Sequence, residues 1–232
     1  MRVDTRISTQ LGTTQAQTSS SAGQASSVGE QVQQNLFGRP RPRLLEPAAF
    51  PELAELMRLL HGYRRKFADL IGDPEADYDL ALADDAVAAI DEHGVIYLGL
   101  AFLRAHRHRS EVLIGAIAHE VGHRPKRWRQ LQYQAPRNLT AAEMSVLCRH
   151  EEIRADMFAG RALAEVEVDC EPLIGFLRAV QVRPHPDYLP VEERAQVIRE
   201  AHQGGAFRAA ARRKLFPAHS RHRAAKGYLG EF

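Results

Sequence analysis

The chain has 232 residues, 44% of them hydrophobic, which is enough for one domain with a real core and too apolar for a wholly disordered protein. Its 31 Lys and Arg against 29 Asp and Glu leave a net charge of +2, which argues against a strongly basic nucleic-acid binder. The longest apolar runs, residues 95–103 and 112–118, fall far short of the roughly 20 residues that span a bilayer as a helix, and two cysteines, Cys148 and Cys170, can build neither a disulfide scaffold nor a CxxC zinc ribbon.

Residues 1–43 are dominated by Ser, Thr, Gln and Gly, with few large apolar side chains to offset the entropy of ordering, so they read as a disordered segment with no core. Arg2 is followed by Val3, Asp4, Thr5 and Arg6 instead of an apolar stretch, so a Sec leader is not expected and a cytoplasmic location is. A Ser-rich, acid-poor start is also compatible with an organelle address or specialised secretion. Residues 39–43, Arg-Pro-Arg-Pro-Arg, form a stiff linker to the domain.

From Pro51, apolar residues at Leu53, Leu56, Met57, Leu60, Phe67, Leu70 and Ile71 follow helical spacing, and Gly72 closes the pattern. Residues 73–92 then hold eight carboxylates and no Lys or Arg. Residues 94–100 are short, apolar and rich in strand formers behind a turn at 91–94, which predicts a strand. Ser110 can cap a helix through Val112, Leu113, Ile114, Ile117 and Val121 that meets Pro125. Thr140 with Glu143 makes a capping box for a long helix reaching about Glu165. Three further helical stretches are expected near 171–182, 190–202 and 207–215. The fold class is therefore α+β, mainly helical, with a small sheet beside the helix of residues 110–123. The domain is placed at 44–206, and residues 207–232 read as a basic C-terminal tail. With seven Lys or Arg and one Glu, that tail suits an acidic partner or the acidic stretch of the same chain. Residues 124–133 mix cations with two aromatics and read as a solvated loop offsetting the preceding helix dipole.

The most informative residues are His119-Glu120-Val121-Gly122-His123, inside an apolar helix. Positions i and i+4 share a helix face, so both imidazoles can reach one Zn²⁺ at about 2.0–2.1 Å. Glu120 then sits beside the metal as a general base for a zinc-activated water. A catalytic zinc takes three protein ligands and keeps an open position. Glu152, on the long helix, can supply the third, with Asp156 placed at i+4 to accept the outer N–H of His119. Glu151 lies about 100° around that helix and stands as the reserve ligand. A buried charge at Glu120 would be costly without a metal beside it.

These elements resemble the gluzincin metallopeptidases, and more narrowly the family of HtpX-type heat-shock peptidases, CAAX prenyl proteases and mitochondrial stress peptidases. The resemblance covers about residues 90–200: the strand and turn of 94–103, the zinc motif of 119–123, Glu152-Ile-Arg-Ala-Asp156, and His185-Pro186 with Glu193-Arg194. It implies a zincin-like fold and zinc ligands His119, His123 and Glu152. It also implies Glu120 as general base, Asp156 behind a ligand histidine, and His185 and Arg194 as candidates to stabilise the oxyanion of peptide hydrolysis. The gap from His185 to Arg194 is longer than that family usually shows, and the chain carries neither its membrane spans nor a lipobox. The compact regulatory peptidases of the ImmA and IrrE type rank second. The expectation is a soluble zinc endopeptidase acting on a protein or peptide, which pairs with the sheet edge near residues 95–100. A catalytically idle binding module on the same framework, or an exported effector protease, are the alternatives.

Overall fold

The computed structural model describes residues 27–38, 40–84, 87–128 and 139–215. Seven α-helices and three strands are placed within them: α1 Val28–Phe37, α2 Ala54–Ile71, β1 Asp79–Ala83, β2 Ala88–Ile90, β3 Val95–Gly99, α3 Leu100–His106, α4 Ser110–Gly122, α5 Ala141–Glu165, α6 Glu171–Val180 and α7 Val191–Leu215. The architecture is mainly helical, with one small sheet. Among the described residues no helix is long and apolar enough to cross a membrane.

The helices expected from periodicity form for the expected reasons. α2 ends at Gly72, whose φ of 78° is the left-handed cap that glycine adopts without strain. α5 begins with Thr140 accepting from the Glu143 amide, and Glu143 reaches back to the Thr140 amide. α4 is buried at ten of its thirteen positions, which is why it reads as a continuous apolar run and not as an amphipathic one. Ser110 does not cap it: Arg109 occupies the cap position without a side-chain bond, and Ser110 is the first helical residue.

Three further expectations are corrected. Residues 28–37, placed in the disordered segment, form α1, whose Ser27 and Glu30 make their own capping box and whose Val32 and Phe37 are buried. The domain therefore starts before residue 44; residues 1–26 lie outside the described residues. The two helices expected at 190–202 and 207–215 are one, α7, which takes in the first nine residues of the basic stretch; residues 216–232 lie outside the described residues. Gly204 and Gly205 do not break α7, because Gly205 serves packing: a Cβ there would sit 2.9 Å from Ala164 Cβ and 3.1 Å from the Arg161 carbonyl of α5. On α5, Gly160 meets α7 equally closely, with a Cβ falling 2.3 Å from the Ile198 carbonyl.

The sheet order is β1-β3-β2, with β1 parallel and β2 antiparallel to β3. The predicted strand is thus the central one and has no free edge. Leu80, Leu82, Ile90, Ile96 and Leu98 point to one face and are buried in the helical core. Residues 40–45 cross from one edge of the sheet to the other. Arg41 pairs with Asp91 at 3.3 Å and Glu92 at 3.1 Å beyond β2, while Leu44 bridges Ala83 at the β1 edge and the Leu45 amide donates to the Leu82 carbonyl.

The acidic stretch is used within the fold. Asp73 binds Arg124, Asp77 binds Lys126 at 2.8 Å, and Arg43 meets Asp84 at 2.5 Å. Residues 124–127 are therefore not a solvated loop but ionic anchors at the end of α4; residues 129–133 lie outside the described residues. Cys148 and Cys170 are buried and unpaired with each other.

Candidate metal centre

α4 and α5 approach unusually closely at Gly122, where a Cβ would fall 2.8 Å from Ala155 Cα and 3.0 Å from the Ala155 carbonyl. No larger residue fits, and this proximity brings Glu152, three residues before that contact on α5, and Asp156, the residue after it, against the histidines of α4. One ligand atom each from His119, His123 and Glu152 lies within 4.8 Å of the others, so this group can hold a metal ion.

The spacing fits a small divalent cation. Donors about 2.0–2.2 Å from a tetrahedral centre lie roughly 3.3–3.6 Å apart. Here His119 Nε2 is 3.3 Å from Glu152 Oε2, and His123 Nε2 is 3.8 Å from Glu152 Oε1. Glu152 Oε2 is buried without a hydrogen bond, although His119 Nε2 faces it. Two facing acceptors in a buried site require a cation between them, a proton on His119 or a metal ion.

Behind the histidine, His119 Nδ1 lies 3.0 Å from Asp156 Oδ1. Asp156 accepting from Nδ1–H turns the Nε2 lone pair toward Glu152 and His123. Asp156 is in turn gripped by Arg194 of α7, Nε to Oδ2 at 2.7 Å and Nη2 to Oδ1 at 2.9 Å. Arg194 Nη1 donates to Gln181 Oε1 at 3.2 Å, and the guanidinium lies over the Tyr188 ring. Arg194 is 5% exposed, its donors are turned to Asp156 and Gln181, and its Nη2 lies 3.8 Å from Glu152 Oε2.

Burial disfavours a charge on His119, but the contact with Asp156 and the field of Asp156 and Glu152 outweigh it and push the imidazole up to about 10. For His123 burial dominates and pushes it down to about 4. Burial raises Glu152 and Asp156, yet the surrounding cations win and hold both carboxyls below their usual range. Two ionised, buried carboxylates beside two imidazoles make a strongly cation-attracting pocket.

Glu151, the reserve ligand, is turned away: it binds Arg127 and lies 3.6 Å from Arg154. Glu120 is 9% exposed and lines a cavity of about 950 Å³ that also reaches His119, His123 and Glu152. His185 lines the same cavity from the loop between α6 and α7, where its Nδ1 accepts the Asp187 amide at 3.2 Å and its ring meets Tyr188 edge-on. His123 is held by the edge of Phe37 on α1, at 6.0 Å between ring centroids. Sequence reasoning missed Phe37, Gln181 and the Arg127 partner of Glu151. Only Arg127 carried a signal, as a cation just past the metal-binding helix.

Comparison of the chain with protein-family models, curated proteins and solved structures gives no match.

Proposed function

We propose that this chain is a zinc-dependent endopeptidase with a zincin-like active site, in which His119, His123 and Glu152 hold the ion. The observation that supports the reading most is the buried His-His-Glu group opening into a cavity that Glu120 also lines. A zinc ion there supplies Lewis acidity and lowers the pKa of a bound water to about 7.

The protein's own groups do the rest. Glu120 takes the proton of the attacking water and passes it to the leaving amine. Asp156 fixes the tautomer and direction of the His119 ring, and Arg194 acts by fixing Asp156. Because His185 Nδ1 accepts from the Asp187 amide, its Nε2 carries the proton and is the donor available to a developing oxyanion.

The substrate edge is β2, not β3. The Asp91 amide donates to Val95 and the Gly99 amide to Val87, and antiparallel pairs alternate. Val87, Ala89 and Asp91 therefore turn their backbone groups to β3, while those of Ala88 and Ile90 face outward. β2 lines the same cavity as the histidines, so an extended peptide added to it lies beside the metal group.

Glu120→Gln should retain zinc and lose cleavage of an unfolded protein such as reduced casein, and a chelator should abolish cleavage by the wild type. Undiminished cleavage by Glu120→Gln contradicts the assignment.

A further inference from the structure

Phe37 and Leu44 pin the two ends of a short segment that borders the metal cavity. Phe37 is buried with its ring set edge-on to His123, while Leu44 bridges Ala83 and the Leu45 amide donates to the Leu82 carbonyl. Between these anchors Pro40, Arg41 and Pro42 line the same cavity as the His-His-Glu group and β2. What holds them there is ionic. Pro40 and Pro42 have no N–H, and among the described residues no backbone hydrogen bond ties 40–42 to β2. Arg41 supplies the attachment, with its guanidinium 3.3 Å from Asp91 and 3.1 Å from Glu92.

The two sides of this latch differ. Asp91 is buried, and its carboxylate also accepts the His93 and Val95 amides and the Tyr97 hydroxyl, each at 2.9 Å. Those three bonds do not depend on Arg41, so the seat is built into the sheet. The Arg41 side chain is 52% exposed, and an ion pair so open to water is weak and screened by salt. A fixed seat with a loosely held occupant is an arrangement with two states.

Asp91 directly follows Ile90, whose outward backbone groups are the last that β2 offers to an added strand. A peptide continuing past Ile90 therefore meets Arg41 and the prolines beside it. Prolines at alternate places leave an extended segment without donors on one side, so residues 40–42 border the edge without joining its ladder or presenting a bond to be cut.

Resting on the peptidase reading, we propose that residues 40–42 are a self-inhibitory strap. Latched by Arg41 to Asp91 and Glu92, they obstruct the end of the β2 edge, and release of the latch admits an extended polypeptide. The device regulates access to the cleft and leaves the chemistry at the metal group alone.

An uncharged, end-capped peptide of Leu, Val, Thr and Gln with a neutral fluorophore reports access when titrated into full-length Glu120→Gln, with zinc and without it. Adding Arg41→Ala should tighten binding about threefold to tenfold, the worth of two open ion pairs. Arg41→Lys, which keeps the charge, should stay nearer to the parent. Raising the salt from about 0.05 to about 0.5 M should tighten binding to the parent and leave the Arg41→Ala form unchanged. Arg43→Ala removes a neighbouring cation whose partner is Asp84, neither of them lining the cavity, and should change nothing. A merely structural role for Arg41 would weaken binding on its removal, so the direction of the change separates the two. Equal or weaker binding by the Arg41→Ala form, or an equal gain from Arg43→Ala, overturns the strap. Cleavage that ignores Glu120 overturns the peptidase reading instead, and the titrations, which need no cleavage, then still decide for or against the strap.

Discussion

Arg194 and Asp156, 38 residues apart, are joined by two parallel charge-assisted hydrogen bonds of 2.7 and 2.9 Å in a site where both are buried. This fork links α7 to α5 and, through Asp156, to His119. Removing Arg194 leaves a buried carboxylate with only the histidine for company, and losing one partner of such a pair costs about 3–5 kcal/mol. Arg194→Ala should melt well below the wild type in a thermal unfolding experiment. Arg194→Lys should recover part of the loss, since a lysine restores charge but not the fork. An unchanged melting temperature for Arg194→Ala would remove the fork from the account.

Two adjacent glycines of α7 should respond in opposite directions. Gly204 has only Arg208 Nη1, at 3.8 Å, near the position of an added Cβ, so Gly204→Ala gains helix propensity and stabilises by up to about 1 kcal/mol. Gly205 abuts Ala164 and the Arg161 backbone, so Gly205→Ala forces α5 and α7 apart and should cost about 1–3 kcal/mol. Denaturant midpoints of the two variants check the pair; equal shifts would contradict the packing.

The N-terminal helix should be part of the folded unit. Phe37 is buried against His123, and Asn35 donates to Cys148 Sγ at 2.9 Å. Phe37→Ala should cost about 3–5 kcal/mol, and a chain starting at residue 44 should unfold at lower denaturant than the full chain. A dispensable tail would leave both transitions where they were.

How much of this was legible in the sequence depended on the range of the interactions. α2, α4 and α5 are long, and their apolar spacing, caps and glycine stop are local, so they could be read. The His-His-Glu group was readable because i, i+4 spacing on two helices is also local geometry. β1 and β2, of five and three residues, were hidden in an acidic stretch, and strand order is a non-local property that placed the predicted strand in the centre instead of at the edge. α1, with its box at Ser27 and Glu30, lay within a Ser-, Gln- and Gly-rich stretch whose composition alone was read. α7 was expected as two stretches, 190–202 and 207–215, because propensity is local, whereas the contact that requires a small residue at Gly205 comes from α5. The choice between Glu151 and Glu152 turned on Arg127, whose approach to Glu151 depends on the chain beyond α4.

The proposed activity requires one divalent cation gripped by His119, His123 and Glu152. Metal analysis of the purified chain after zinc loading and dialysis, beside Glu152→Ala and Glu151→Ala, tests it most directly. About one zinc per chain is expected in the wild type and in Glu151→Ala, and a loss of most of it in Glu152→Ala. Zinc retained by Glu152→Ala, or absent from the wild type, would contradict it.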